Sequence, residues 1–260
     1  MKRSILLSFD VEEFDIPLEY NYNITPAEQL VKGKEGLDAL GPILGNKNIS
    51  ATLFTTAHFA QQFPVDIKQL AGQHEIASHT FYHSSFEVEH LATSRLALEN
   101  ITGKPVHGLR MPRMRKVEMQ DVIDAGYQYD SSINPTWLPG RYNNLHLSRT
   151  VYLDHTLPRI PASVSPMLRL PLFWLGFKNY PYAFFRYLCK RSLAKDGYVC
   201  LYFHPWEFTP IDTYSLPGYV SKPDGDVLLE RLNRLITDLS SYGEFTTIAD
   251  YLADKNYITL

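Results

Sequence analysis

Residues 4–15 read SILLSFDVEEFD, an apolar run that ends in four acidic side chains. The apolar run at 5–7 is typical of a buried β-strand. Asp10 and Glu12 lie two positions apart, so on an extended chain both point to the same face. We therefore predict a core strand that delivers two carboxylates to one place.

The composition favours a globular enzyme over a nucleic-acid-binding or membrane-spanning protein. Of 260 residues, 45% are hydrophobic and 20% charged, which is typical of soluble domains. A net charge of −3 gives no basic footprint for nucleic acid. No apolar run approaches the ~20 residues of a membrane span, and the N-terminus does not resemble a signal peptide. The two cysteines, Cys189 and Cys200, form no disulfide framework, which predicts a cytoplasmic location. The oligomeric state is not predicted.

Short β-like runs alternate with helix-like runs, which favours βα units and a mostly parallel sheet within a single domain over residues 1–260. The predicted strands are residues 4–10, 51–57, 75–79, 106–110, 198–204 and 245–248. The predicted helices are residues 25–44, 85–103, 116–127, 182–195 and 226–243. Thr25, Pro26 and Glu28 form the signature of a capping box at the start of the first helix.

Two segments carry further expectations. Residues 131–181 hold seven of the seventeen prolines together with several aromatic residues, which predicts an ordered elaboration near the functional site. Residues 182–195 mix aromatic and basic side chains. Amphipathic packing on the core and peripheral contact with a membrane surface are both open for this helix.

Chemically competent side chains end or follow several predicted strands. They are Asp10, Glu12, His79, His83, Arg110 and His204. The carboxyl ends of parallel strands gather at one face, so we expect these side chains to meet there. One helical turn would bring both histidine rings of HTFYH (79–83) to the same side. Two imidazoles and a carboxylate suit zinc or another divalent ion with a position left open for water.

Five motifs, in this order, resemble the polysaccharide deacetylase (NodB-homology) family of carbohydrate esterases. They are SFDVEEF, HTFYH, RMPRMR, YDSSINP and LYFHPWEF. The resemblance extends over roughly residues 4–250 and is strongest to the subgroup of exopolysaccharide and capsule clusters. It implies a distorted (β/α)7 barrel and metal-assisted hydrolysis of an N-acetyl group on a sugar.

The resemblance also implies roles for the proton-transferring residues. Asp10 matches the catalytic base, and Arg110 matches the arginine that keeps the base ionised through a charge-assisted bond. His204 matches the general acid. Asp130, in the fourth motif, is then expected to orient His204.

His79 and His83 match the family's two metal-binding histidines. The family pattern has two adjacent aspartates in its first motif, and Val11 occupies the second of these positions. Glu12 is the predicted third ligand because strand alternation points it towards the same face as the base, and Glu13 is the alternative. The expected ion is Zn²⁺, while Co²⁺, Mn²⁺ and Ni²⁺ suit the same donors.

The predicted function is metal-dependent removal of an N-acetyl group from an N-acetylhexosamine-containing saccharide, either a polysaccharide or a lipid-linked precursor. Two alternatives stay open. One is a metal-independent amidohydrolase acting on a small cyclic amide or ureide, which Val11 leaves possible. The other is a catalytically silent sugar-binding protein on the same fold. Glu207 follows His204 closely but receives no role from the sequence.

Overall fold

A parallel sheet that curls into a barrel is the frame of the fold, seen in a computed structural model that describes residues 3–260. The strands are β1 (Ser4–Val11), β2 (Ala51–Thr55), β3 (Glu75–Ser78), β4 (Gly108–Leu109), β5 (Tyr129–Asp130), β6 (Trp137–Leu138), β7 (Tyr142–Asn143), β8 (Tyr152–Asp154), β9 (Leu157–Arg159), β10 (Tyr198–Phe203) and β11 (Glu244–Phe245). The α-helices are α1 (Pro26–Ala39), α2 (Gly41–Leu44), α3 (Ala57–Gln62), α4 (Pro64–Leu70), α5 (Glu89–Thr102), α6 (Met119–Asp124), α7 (Trp174–Asn179), α8 (Tyr182–Asp196), α9 (Gly218–Ser221), α10 (Gly225–Ser240) and α11 (Ile248–Asp254). Short 3₁₀ helices span Ile16–Tyr20, Pro112–Met114, Pro205–Phe208 and Asp212–Tyr214.

Seven strands build the barrel in the order β10-β1-β2-β3-β4-β5-β9, each parallel to the next. Between β9 and β10 the barrel closes through backbone that follows β9. There the N–H of Ser163 donates to the carbonyl of Cys200 at 2.8 Å, and the N–H of Cys200 donates to Ser163 Oγ at 2.8 Å. This irregular seam distorts the barrel, as the predicted fold class requires.

The central strand β1 is buried on both faces. Ile5, Leu7, Phe9 and Val11 pack outward into the large cluster beneath the helices. Leu6 points the other way, into a smaller cluster inside the barrel. Parallel strands covered on both sides are expected to be apolar throughout. The polar inward positions that follow Leu6 therefore mark the place where the barrel interior becomes a site.

Helix α1 lies directly against the two loops that carry functional residues. A Cβ atom on Gly33 would lie 2.4 Å from the carbonyl oxygen of Glu12, and one on Gly36 would lie 2.3 Å from the carbonyl carbon of Pro205. Glycine is required at both positions because any side chain would collide with backbone. The predicted capping box is present, with Thr25 N–H donating to Glu28 Oε2 at 2.8 Å.

The predicted helices and strands are largely of the right type, but their bounds differ from those in the structure. The predicted helix 25–44 is two helices, α1 and α2. They separate just before Pro42, which has no N–H to donate to a carbonyl of the preceding turn. The short barrel strands β5 and β9 were not predicted.

The segment 131–181 folds into the β6–β7 hairpin, the β8–β9 hairpin and α7. The next helix, α8, buries Phe185, Leu188 and Leu193, and Arg186 pairs with Asp238 at 3.0 Å. Amphipathic packing thus accounts for the apolar side of this helix. Within residues 3–260, no helix is both long and apolar enough to cross a membrane.

Candidate active site

A pocket of about 670 Å³ opens at the carboxyl ends of the barrel strands. Asp10 and Glu12 enter it from the end of β1, His79 and His83 from the turn after β3, and His204 from the end of β10. The sixth predicted residue, Arg110, reaches this group from below, through a hydrogen bond to Asp10. The structure therefore brings together side chains that lie up to 194 positions apart in the chain, as the convergence of parallel strands predicts.

Glu12, His79 and His83 offer three ligand atoms to one point. Those atoms all lie within 4.8 Å of one another, and all three residues are buried. Glu12 Oε2 is 3.0 Å from His79 Nε2 and 3.1 Å from His83 Nε2. The other carboxylate oxygen, Oε1, accepts a hydrogen bond from the Trp206 indole N–H at 3.1 Å. Trp206 thus fixes the glutamate so that Oε2 faces the two rings.

The partners of the outer ring nitrogens determine where the lone pairs point. His79 Nδ1 lies 2.7 Å from the carbonyl oxygen of Arg110, and His83 Nδ1 lies 2.7 Å from Asp15 Oδ1. These oxygens only accept hydrogen bonds, so in each neutral ring Nδ1 carries the hydrogen and Nε2 carries the lone pair. Both lone pairs then face a carboxylate oxygen that makes no hydrogen bond with any described residue.

Three converging electron pairs need a positive charge between them, and a divalent cation fits this donor set. The pKa values of Glu12 and His83 are also consistent with a site that attracts positive charge. Burial opposes ionisation of Glu12, but the charge of His83 and the close approach of His79 outweigh it and hold the pKa of Glu12 well below its usual range. Burial also lowers the pKa of His83, but the charges of Glu12 and Asp15 outweigh it and raise the pKa to about 9.

The turn that carries the two histidines is not the predicted helical turn. Thr80 has a φ of +62°, in the left-handed region that a β-branched residue rarely adopts. Its N–H donates to Ser78 Oγ at 3.1 Å, and its own hydroxyl donates to the Tyr82 carbonyl at 3.1 Å. The imidazoles of His79 and His83 still come together, with centroids 5.6 Å apart and planes 24° from parallel.

Asp10 and Arg110 form a fully buried ion pair. Arg110 Nη1 donates to Asp10 Oδ1 at 2.6 Å and to Ser8 Oγ at 3.0 Å. Burial works against the guanidinium, but the charge of Asp10 raises the pKa of Arg110 above its ordinary value. The second carboxylate oxygen, Oδ2, stays open towards the pocket, 4.0 Å from His204 Nε2. This arrangement suits a carboxylate that accepts a proton at Oδ2.

Glu207, and not Asp130, contacts the outer nitrogen of His204. Glu207 Oε1 lies 2.9 Å from His204 Nδ1. Asp130 instead accepts hydrogen bonds from Ser132 Oγ at 2.5 Å and from Arg159 Nε at 2.9 Å. The expectation that Asp130 orients His204 is therefore corrected. Asp130 ends β5 inside the barrel wall, where the missed strand β9 supplies its arginine partner.

The remaining acidic residues of the first motif turn away from the three-ligand cluster. Glu13 binds Thr56 Oγ1 at 2.8 Å and His58 Nδ1 at 2.6 Å, on the side of α3. Asp15 binds His83 as above and also accepts from Arg113 at 2.9 Å. The role of Asp15 was missed in the sequence, although its place in the acidic run next to the ligand candidates was a usable signal.

The outer wall of the pocket is mostly apolar and comes largely from residues 134–180. Its aromatic members in this segment are Trp137, Tyr142, Phe173, Trp174 and Tyr180. Trp174 contacts His204 edge-on, with ring centroids 5.5 Å apart. Flat aromatic faces such as these can pack against the C–H faces of a sugar ring.

Residues 2–129, about half of the chain, match the family model for polysaccharide deacetylase. A comparison with curated proteins found no match. Among solved structures, a Mycobacterium smegmatis protein assigned to the polysaccharide deacetylases has a TM-score of 0.63 at 18% identity, covering 99% of this chain and 92% of that chain. Puue allantoinase has a TM-score of 0.61 at 16% identity, with 98% and 92% covered.

A family 4 acetyl xylan esterase from Clostridium thermocellum, in complex with a cobalt ion, has a TM-score of 0.51 at 14% identity, with 98% and 92% covered. At such low identities these structures establish the fold alone. The fold they share with this chain is the distorted seven-stranded barrel.

Proposed function

Because the chain belongs to the polysaccharide deacetylase family, we propose that it hydrolyses the N-acetyl group of an N-acetylhexosamine unit in a saccharide. The observation that carries the proposal is the convergence of Glu12, His79 and His83 beside Asp10 and His204 in one pocket. Such a set pairs a cation site with a proton acceptor and a proton donor, which amide hydrolysis requires.

Glu12, His79 and His83 would hold the cation, which we propose to be zinc, with cobalt, manganese or nickel as alternatives. When bound, a divalent ion supplies Lewis acidity that polarises a carbonyl and makes water a better nucleophile. Within the chain, Arg110 and Asp15 hold the outer nitrogens of the two rings, so both imidazoles present Nε2 to the same point. Such outer hydrogen bonds fix the tautomer of a ligand histidine.

Asp10 is the proposed general base. Arg110 occupies Oδ1, so Oδ2 is the oxygen that accepts the proton of the attacking water. The water oxygen bonds to the acetyl carbon, and the C–N bond then breaks. Because Arg110 is completely buried, solvent does not screen its attraction for Asp10, and the ion pair holds the carboxylate with Oδ2 towards the pocket.

His204 is the proposed general acid. With its Nδ1 hydrogen directed at Glu207, the ring presents Nε2 to the pocket, 4.0 Å from Asp10 Oδ2. Burial lowers the pKa of His204, but the hydrogen bond to Glu207 and the charges of Glu12, Glu207 and Asp10 outweigh it and raise the pKa. The protonated ring can then give its Nε2 proton to the departing amine nitrogen while acetate is released.

The pocket size supports a saccharide over a small ureide. About 670 Å³ is within the range of sites for drug-sized ligands. The small-ureide alternative depended on Val11, but the Val11 side chain packs in the outer core and Glu12 occupies the inward position beside it. Whether the saccharide is a polymer or a lipid-linked precursor stays open, and the cytoplasmic location stays a prediction from the two cysteines.

The test is acetate release from N-acetylglucosamine oligomers by the wild-type protein and by Asp10→Asn. The variant keeps the shape of the side chain but cannot take a proton, so we expect a loss of about 10²–10⁴-fold in kcat with an unchanged circular dichroism spectrum. Full activity in Asp10→Asn overturns the assignment of the base. Binding without turnover, with every metal tried, supports the silent sugar-binding alternative, and turnover that survives chelation supports the metal-independent one.

A further inference from the structure

A buried carboxylate stands behind His204 on the side away from the pocket. Glu207 has no exposed surface, and its Oε1 accepts from the backbone N–H of His204 at 2.8 Å while facing Nδ1 of the same residue at 2.9 Å. A carboxylate only accepts hydrogen bonds, so the Nδ1 hydrogen of His204 is directed at Glu207. The 3₁₀ turn Pro205–Phe208 makes this contact possible, because it brings position 207 back over position 204.

A buried lysine faces the far side of the same carboxylate. Lys178, on α7, has a fully buried side chain, with Nζ 3.4 Å from Glu207 Oε2. The ammonium also donates to the Val220 carbonyl at 2.6 Å. Burial favours the neutral form of Glu207, but the charges of Lys178 and His204 outweigh it and hold the pKa of Glu207 below its ordinary value. Charges at this depth persist when they are paired and hydrogen-bonded.

Aromatic rings restrict the imidazole of His204 in the remaining directions. Trp206 stacks on it, with centroids 4.8 Å apart and planes 16° from parallel. Trp174 and Tyr202 contact it edge-on, at 5.5 and 5.8 Å. Stacking fixes the plane of the ring but not which nitrogen faces the pocket. The hydrogen-bond partner of Nδ1 determines which nitrogen faces the pocket.

We propose that Glu207, held by Lys178, is the positioning residue of His204: it fixes the ring with Nε2 towards the leaving group and favours the imidazolium before proton transfer. The proposal rests on the proposed function for its kinetic consequence but not for its structural one. It also assigns the elaboration between β5 and β10 a part in catalysis, since α7 delivers the lysine that pairs with Glu207.

The structural consequence can be measured without turnover. In the full-length protein, ¹⁵N-resolved imidazole NMR should show the Nδ1–H tautomer for neutral His204, with the signals assigned by their loss in His204→Gln. Three acidic groups face this ring, namely Asp10, Glu12 and Glu207. Glu207→Gln removes one of them and leaves the other two, so the pKa of His204 should fall by about one unit.

The kinetic consequence separates positioning from folding. For an N-acetyl sugar, Glu207→Gln should lower kcat about 10- to 100-fold with KM nearly unchanged, and should move the alkaline limb of the rate profile to lower pH. For 4-nitrophenyl acetate, whose phenolate departs without a proton, the loss should be less than about threefold. Glu207→Gln alone leaves the buried charge of Lys178 without its partner. If that variant does not fold, the double variant Lys178→Met/Glu207→Gln, which removes both charges, takes its place.

Asp196→Asn is the control for general damage by loss of a largely buried ion pair. Asp196 pairs with Arg149 and does not line the pocket. It should lower the melting temperature while leaving the pKa of His204 and the ratio of the two substrates unchanged. An unshifted His204 pKa in Glu207→Gln, or equal losses on both substrates, overturns the proposal. A wild-type protein inactive on every acetylated saccharide overturns the proposed function, while the NMR result still decides the role of Glu207.

Discussion

Arg110 lies inside the barrel and contacts residues from several of its strands. It has no exposed surface, and its guanidinium lies 3.9 Å from the ring centroid of Phe54 and 4.9 Å from that of Tyr202. Its donors reach Asp10 on one side and Ser131 on the other, at 2.6 and 3.0 Å. A planar guanidinium can donate hydrogen bonds to both sides at once and can stack between two aromatic rings. The ammonium group of a lysine cannot stack in this way.

Arg110→Lys should therefore be costly despite conserving the charge. Lysine cannot reach Asp10 and Ser131 together, so buried acceptors lose their donors at a cost of about 1–3 kcal/mol in the free energy of unfolding. We expect at least about a tenfold loss in kcat/KM, since the base loses its fixed orientation. Urea unfolding and acetate release measure the two effects. Wild-type values in both would show that charge alone is sufficient at this position.

Metal content separates the two candidate glutamates of the first motif. Glu12→Gln leaves a neutral amide facing His79 and His83, so bound metal should fall from about one ion per chain by at least tenfold. Glu13→Gln is the matched control, because Glu13 binds Thr56 and His58 and should keep its metal. Elemental analysis after dialysis checks both. Retention in Glu12→Gln together with loss in Glu13→Gln would reverse the assignment.

The sequence predicted which residues meet better than it predicted how each is held. Alternation along one strand was sufficient to place Asp10 and Glu12 on the same face. The partner of His204 was assigned to Asp130, because a motif in the chain does not reveal that Arg159 occupies that aspartate. Glu207 lies three positions after His204, a spacing that becomes a contact only where the backbone turns, and the 3₁₀ helix there is short.

At the scale of elements, α1 is the helix against which the site is built. Its two glycines let the backbone of the β1 end and of the Pro205–Phe208 turn approach the helix axis closely. These are the segments that carry Glu12 on one side and His204 with Glu207 on the other. A displacement of α1 would therefore move a metal ligand and the proton donor together.

Gly36→Ala should expose this dependence. Its Cβ would lie 2.3 Å from the carbonyl carbon of Pro205, so the turn must move, at a cost of about 1–3 kcal/mol in stability. Activity should fall further than the stability change explains, because the turn sets the position of His204. Gly41→Ala, with open space around its Cβ, is the control and should be neutral or slightly stabilising. Equal kcat in both variants would contradict the coupling between α1 and the site.

The two barrel strands that escaped prediction, β5 and β9, are short. β5 and β9 contribute two and three residues to the barrel, too few for an alternating pattern to be read. The turn from His79 to His83 was predicted as helical from its spacing. Its backbone follows Thr80 into the left-handed region instead, and a local sequence pattern for threonine gives no sign of this. Tertiary contacts determine the backbone conformation of such segments.

At the scale of the whole molecule, the barrel strands separate two of the apolar clusters, the outer one beneath the helices and the one inside the barrel. Cys189 lies on α8 in the outer cluster, and Cys200 lies on β10 in the cluster inside the barrel. The strands pack against both clusters. Unfolding of one cluster should therefore expose the strands that cover the other. On this argument the barrel and its helices unfold as one cooperative unit, as the predicted single domain requires.

The two cysteines make that cooperativity measurable. Both thiols are buried, and burial raises the pKa of each, for Cys200 to about 11. At pH 8 a disulfide reagent should therefore leave the native protein unmodified, because the thiolate is its nucleophile and neither sulfur is accessible. In increasing urea, both thiols should become reactive at one midpoint, coincident with the loss of circular dichroism. Cys189→Ala and Cys200→Ala, which report one thiol each, should give the same midpoint once corrected for their own stability. Two separated midpoints would show that the outer helices and the barrel interior unfold independently, and would contradict the single domain.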